Sequence, residues 1–216
     1  MRRTAMIVLA GVLAASLVAA EEKERSVVFG KDDAGKLPEG WKAEKTGKGD
    51  GSVWKVVADK TAPSGKGYVL AQTAAGPGSL FNLCVATDHD YTDVDVTVSF
   101  KAVEGKKDQG GGIVWRYQDA DNYYVARMNP LESNFRVYKV VGGKRSKEFQ
   151  DAEVKVKAGE WHTLKIKQVG DRIGCFVDGK KHLAVKDDTF TKSGKVGLWT
   201  KADAQTRFDD LAIKGK

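Results

Sequence analysis

The run Gly111-Gly112-Ile113-Val114-Trp115-Arg116-Tyr117, the tetrapeptide Asp119-Ala120-Asp121-Asn122 and the run Tyr123-Tyr124-Val125-Ala126-Arg127 decide the fold class. Both long runs are rich in the β-branched and aromatic residues that suit a pleated, half-buried surface. The polar stretch between them has the Asx chemistry of a hairpin turn. It reads as strand, turn, strand. If Ile113 and Trp115 face the core, alternation places Val114 and Arg116 on the opposite face. In the second run Tyr124, Ala126 and Met128 then pack inward, while Tyr123, Arg127 and Asn129 share the outer face.

The same two-residue period spreads outward from this hairpin. Val94, Val96, Val98 and Phe100 interleave with Asp95, Thr97 and Ser99. Leu164 and Ile166 alternate with Lys165 and Lys167, and Ile173, Cys175 and Val177 share one face. Val141-Gly142-Gly143-Lys144, Gly170-Asp171 and Asp178-Gly179 punctuate these runs, and Asp-Gly suits a tight type I′ turn. Toward the N-terminus, Ser26–Phe29, Trp41–Glu44, Val53–Val57 and Gly67–Gln72 read as shorter strands. No amphipathic helix, internal repeat or linker interrupts them. Short strands joined by hairpin turns predict an all-β, antiparallel two-sheet sandwich, with residues 21–216 as a single domain.

Residues 1–20 read differently. Arg2 and Arg3 precede an apolar run from Met6 to Val18, and Val18-Ala19-Ala20 offers small residues for a signal peptidase. The expectation is a cleavable signal peptide and a secreted or periplasmic product, with no membrane span after cleavage. The formal charge of +7 includes Arg2 and Arg3, and the remaining basic residues occur as pairs separated by acids and apolar residues. That pattern is a solvated surface with some attraction for anionic polysaccharide, and it carries no nucleic-acid recognition motif. The two cysteines, Cys84 and Cys175, lie in apolar strand-like stretches. An exported protein permits a Cys84–Cys175 disulfide, and two buried free thiols are the competing reading.

More specific phrases follow in a fixed order: Gly111–Tyr117, Tyr123–Arg127, Phe135-Arg136-Val137-Tyr138-Lys139, Glu160-Trp161-His162-Thr163-Leu164, Phe176-Val177-Asp178-Gly179-Lys180, Gly194-Lys195-Val196-Gly197-Leu198-Trp199-Thr200 and Phe208-Asp209-Asp210-Leu211. Taken together they resemble the concanavalin A-like lectin/glucanase superfamily. Within it the chain looks most like the 3-keto-disaccharide hydrolase domain family and laminin-G-like bacterial domains. The resemblance implies a jelly-roll sandwich with one convex and one concave sheet. It also implies a structural calcium held by Asp209, at the start of the last strand. On a strand Asp209 shares parity with Leu211 and Ile213, which turns its carboxylate toward the core, and a backbone N–H or a nearby Lys or Arg is an equal alternative partner for it.

Function is not decided by such a fold, so the residues must carry it. Glycosidases generally need two carboxyl groups flanking the scissile bond. The Glu-x-Asp-x-x-Glu pattern of the glucanase branch is absent, and Asp88-His89-Asp90 with Asp93 and Asp95 reads as a solvated turn and strand face. The Asp119–Asn122 loop lacks the Gly and Glu of a calcium-binding loop, since Tyr124 and Pro130 stand in those places. His89, His162 and His182 have no second His or Cys at metal-ligand spacing. The concave sheet is then the expected ligand surface, with Arg116, Tyr123, Arg127, Asn129, Arg136, Tyr138 and Trp199 as candidates. Aromatic faces stack on sugar C–H surfaces, and Arg and Asn supply directional donors. The leading reading is a non-catalytic carbohydrate-binding domain whose partner is a polysaccharide or other glycan, neutral or anionic. A glycoside or 3-keto-glycoside hydrolase and an envelope scaffold or adhesion domain are the rivals.

Overall fold

A computed structural model describes residues 23–216, so the expected signal peptide lies outside the described residues. Along the chain run β1 (Lys23–Val27), β2 (Trp41–Thr46), β3 (Trp54–Ala58), β4 (Tyr68–Gln72), β5 (Phe81–Ala86), β6 (Val94–Glu104), β7 (Gly111–Asp119) and β8 (Asn122–Asn129). They continue with β9 (Asn134–Val141), β10 (Lys144–Arg145), β11 (Gln150–Glu153), β12 (His162–Val169), β13 (Arg172–Val177), β14 (Lys180–Lys186), β15 (Lys195–Lys201) and β16 (Gln205–Gly215). A single 3-10 turn at Lys31–Asp33 is the helical element among the described residues, and no helix there is long and apolar enough to cross a membrane.

The strands form two antiparallel sheets. Sheet A runs β14-β13-β12-β6-β16-β4-β3, with β1 also on β16; sheet B runs β10-β9-β8-β7-β15-β5-β2, with β11 also on β9. Sequence neighbours often lie in opposite sheets, which is the wiring of a jelly roll. Alternation explains the core between them. Val94, Val96, Val98 and Phe100 from β6 and Leu164 and Ile166 from β12 point inward to meet Ile113, Trp115, Tyr124, Ala126 and Met128 from sheet B. The Trp115 indole N–H donates to Gln168 Oε1 across the core, so the buried indole has its partner.

Two expectations fail here for geometric reasons. Cys84 and Cys175 are free, buried thiols, not a disulfide. β12 and β6 pack on β7 and β14 packs on β9, so β13 with Cys175 lies over β8. From there β5 with Cys84 is three strands away, or ~14 Å at ordinary strand spacing. A disulfide needs Cα atoms within ~7 Å. The second failure is the side of the sheet that Asp209 faces. Phe208 and Leu211 both enter the core, because a bulge between Asp209 and Ala212, with Asp210 at φ 50°, resets the alternation. Asp209 pairs with Ser99 and therefore lies on the outer face of sheet A, buried beneath the β3–β4 connection. Its Oδ2 accepts the Ser64 N–H at 3.0 Å.

Candidate functional site

Sheet B is strongly curved. β8 and β2 are four strand spacings apart, ~19 Å in a flat sheet, yet the Tyr123 phenol on β8 lies 2.8 Å from Thr46 Oγ1 on β2. Arg145 on β10 likewise reaches 4.4 Å from the Tyr138 ring on β9 and 5.5 Å from the Phe81 ring on β5. The outer face of sheet B is thus the concave surface, and it divides into two sectors.

The first sector is apolar and closed. Phe81, Leu83, Val85, Val114, Val125 and Val140 form a second hydrophobic cluster with Tyr123, Tyr138 and Trp199. Tyr117 stacks on Tyr123 at 6.1 Å, and Thr46 donates to the Ala120 carbonyl at the tip of the β7–β8 hairpin. Burial pushes the Tyr123 phenol well above its usual range, against smaller opposing effects of Thr46 and Trp199. Sequence reasoning treats exposed-face aromatics as ligand platforms; here Tyr123 and Tyr138 are largely spent on closing the sheet over itself.

The second sector is polar. One cross-strand row runs Leu83, Trp199, Gly112, Arg127, Arg136 and Asp151, from β5 to β11. Gly112 places no side chain between the indole and the guanidinium. A Cβ there would come within 2.5 Å of the Ala126 carbonyl oxygen, so the gap is enforced by packing. Arg127 is only 2% exposed. Its Nη2 donates to Glu132 at 2.9 Å, but its Nε and Nη1 have no hydrogen-bond partner among the described residues. Asn134 Oδ1 is also buried without a partner, whereas the Trp199 indole leans on the Tyr123 hydroxyl and Arg136 on that of Tyr138. Such atoms are costly unless a water or ligand meets them.

Acidic groups frame this row. Asn129 donates to Asp108 Oδ1 at 3.1 Å and accepts the Glu132 N–H at 3.1 Å. Lys201 reaches Asp108 Oδ2 at 3.2 Å. Burial raises the Asp108 carboxyl above its ordinary range, with Arg127 and Lys201 pulling the other way. Glu132 shows the opposite balance: burial pushes it up, but the Arg127 hydrogen bond and its neighbours hold it low. Arg136 pairs with Asp151 at 2.8 Å, and that bond raises its already high pKa. Beyond these side chains a solvent-open depression of about 510 Å³ is lined by Glu132, Asn134, Arg136, Asp151, Glu153 and Lys155. Its size suits a small saccharide.

Of the seven residues expected at a ligand surface, Tyr123, Arg127, Asn129, Arg136, Tyr138 and Trp199 do share the concave face. Arg116 does not. It takes φ 47° at a bulge near the end of β7, and its guanidinium donates to the carbonyls of Thr92, Phe190 and Gly170. It ties strand connections together at one end of the sandwich. Asp108, Gly112, Glu132, Asn134, Asp151 and Lys201 were not picked out by alternation. Asp108 and Glu132 stand in turns, where period-two reading does not apply, and the others needed cross-strand register.

The sequence model of the 3-keto-alpha-glucoside-1,2-lyase-like domain matches residues 27–214, a span that takes in both sheets and every residue of this row. The chain belongs to that family. Solved structures support the architecture of this lyase-like domain. The carbohydrate-binding module CBM66 from Bacillus subtilis is 20% identical, with a TM-score of 0.62 over 80% of this chain and 93% of that one. A Bacteroides ovatus mixed-linkage-glucan GH16 protein, solved with its product, is 12% identical, with a TM-score of 0.61 over 84% and 98%. The exoplasmic/lumenal domain of VIP36, in its Ca2+/Man-bound form, gives 11% and 0.57 over 88% of both chains. At these identities they establish the lyase-like domain as a jelly-roll sandwich of the lectin/glucanase type. No curated protein matches the sequence.

Proposed function

We propose that this domain is an extracytoplasmic saccharide-binding protein that holds its ligand in the polar sector of the concave sheet. One observation carries the reading: Arg127, with two buried donors that lack a partner, stands in register beside Arg136, which lines a sugar-sized depression. Sugar hydroxyls accept from such donors. The similarity to a carbohydrate-binding module and to the Ca2+/Man-bound VIP36 domain supports the same reading. Binding without turnover is favoured because the local carboxylates are committed. Glu132 serves Arg127 and Arg136, Asp151 serves Arg136, and Asp108 serves Asn129 and Lys201. Affinity electrophoresis across neutral polysaccharides, with calorimetry on the best oligosaccharide, tests the proposal. Retardation that Arg127→Ala abolishes supports it, and a folded protein that no saccharide retards refutes it.

A second reading has its own observation. A 1,2-elimination on a 3-keto-glucoside transfers the C2 proton, which the neighbouring ketone acidifies, to a base, either water or an ionised carboxylate. It forms the C1–C2 double bond and expels the aglycone from C1 as its oxygen takes a proton. Asp108, kept protonated to higher pH by burial, is the group here suited to supply that proton. Release of a chromogenic aglycone from a 3-keto-glucoside, lost in Asp108→Asn, would favour this reading over simple binding.

Two further elements belong to the proposal. Export rests on the leader-like residues 1–20, and N-terminal sequencing of the exported protein should begin at Glu21. Structural calcium rests on Asp209, whose Oδ1 is buried without a partner while Oδ2 takes the Ser64 N–H. That orphaned oxygen fits a cation, with Asp209 as its side-chain ligand. The nearby Lys101 and Arg207 turn instead to Asp59. Among the described residues no three ligating side chains gather, so backbone carbonyls would complete the shell. If calcium binds, its removal by EGTA should lower Tm by several degrees, and Asp209→Asn should erase the difference.

A further inference from the structure

The outer face of sheet A, on the far side of the sandwich from the saccharide sector, carries a groove that the function above does not use. It occupies about 580 Å³ across β12, β13 and β14, lined by Lys167, Arg172, Gly174, Phe176, Lys181 and Lys186 among others. Register explains its shape. Lys165, Phe176 and Lys181 form one cross-strand row, Lys167, Gly174 and Ala184 the next, and Val169, Arg172 and Lys186 a third. The middle row is where the floor drops, because Gly174 and Ala184 offer little or no side chain. A Cβ at Gly174 would lie 3.3 Å from both the Phe176 ring and the Lys181 chain, so those two side chains wall the floor.

Most of the charge on this groove is uncompensated, although Asp95 stands opposite Lys167 in the register. Lys165 is paired with Asp95 at 2.9 Å, but Lys167, Arg172, Lys181 and Lys186 form no ion pair among the described residues. All four are exposed. Cations therefore recur on successive rows, ~7 Å apart along the strands, above an apolar floor.

We infer that this groove binds an anionic polysaccharide, a chain of uronate or sulfated sugars, independently of the concave face. A pyranose ring presents an apolar C–H face that suits Gly174, Ala184 and the Phe176 ring. Its equatorial carboxylates or sulfates project sideways, toward the lysines and Arg172 on the rim. A nucleic acid places its phosphates differently and wants aromatic stacking platforms in series, whereas a single partly buried Phe stands here. A membrane surface wants a patch of protruding apolar side chains, and Val169 alone among the large apolar residues of this groove is exposed, among four cations.

Affinity electrophoresis of the intact protein in gels containing polygalacturonate or dextran sulfate tests the inference. Retardation is expected that weakens as salt rises, and Lys181→Glu/Lys186→Glu should reduce affinity at least tenfold. Ala184→Trp, which fills the floor without changing charge, should reduce it several-fold. Circular dichroism confirms folding of each variant. No retardation of the parent protein overturns the inference. So does full binding by Ala184→Trp, which would reduce the surface to diffuse charge. Equal or tighter binding to duplex DNA or to phosphatidylglycerol vesicles also overturns it, by naming a different partner.

Discussion

At the scale of single residues, Arg127 and Cys84 show how burial decides chemistry. Arg127 is held between Gly112 and Arg136 in the sheet and keeps one end on Glu132. Its remaining donors are too buried for bulk water, which makes them useful to a ligand and expensive otherwise. The thiols illustrate the reverse. Burial pushes Cys175 up to about 12 and raises Cys84 well above the usual thiol range. A thiolate is the reactive form, so both should be inert in the folded protein. A thiol-reactive dye should therefore label neither cysteine under native conditions and both in denaturant, whether or not a reductant is added. Labelling that requires reductant would restore the disulfide.

At the scale of strands, bulges do what alternation cannot express. The hairpin Gly111–Arg127 was legible because Ile113, Trp115, Tyr124 and Ala126 keep strict period two, and their burial follows from it. So were the short strands at Trp41, Trp54 and Tyr68, bounded as they are by Gly and Lys. Arg116 and Asp209 were misplaced for one shared reason. Each stands at or beside a residue with positive φ, and a single inserted residue exchanges the two faces of a strand. Neither position carries the Gly that would announce it, since Arg116 and Asp210 adopt the left-handed region themselves. The polar sector was half legible. Its Arg, Asn and Trp members lie on alternating strands, but their convergence depends on register across β5, β15, β7, β8 and β9.

Two substitutions test this strand-level account. Arg116→Ala leaves the carbonyls of Thr92, Phe190 and Gly170 without their shared donor. It should lower stability by about 2–4 kcal/mol in urea titrations without altering saccharide affinity in the surviving folded fraction. Gly112→Ala forces a methyl group toward the Ala126 carbonyl and into the gap beside Arg127. It should cost about 1–3 kcal/mol and weaken saccharide binding as well, which Arg116→Ala does not.

For the whole molecule, buried ion pairs outside the site set the acid limit. Asp187 accepts from Tyr124 and Thr189 and pairs with Lys139 at 2.9 Å. Burial opposes ionisation, but these bonds prevail and bring the carboxyl down to about 2. Asp59 is displaced in the same direction, with Lys101, Thr61 and Arg207 overcoming the effect of burial. A depressed carboxyl stabilises the fold fully above its unfolded pKa near ~4 and loses that contribution as pH falls toward its folded value. Urea midpoints should accordingly hold steady from neutral pH to about 5 and fall steeply between about 4 and 2. Asp187→Asn should flatten that slope, removing roughly 2 kcal/mol of its span. Loss of stability beginning near pH 6 would instead point to His182, whose pKa burial lowers.

The two sheets also divide the work. Sheet A supplies a cationic outer groove, and sheet B curls until part of its concave face becomes a second core and the remainder a polar recess. The most direct measurement of the central proposal is calorimetric titration of a neutral oligosaccharide into the parent protein and into Arg127→Ala. The expected result is one site per chain, with affinity at least tenfold weaker in the variant while far-UV circular dichroism is unchanged. Equal affinity in the two proteins would place the sugar elsewhere and contradict the account.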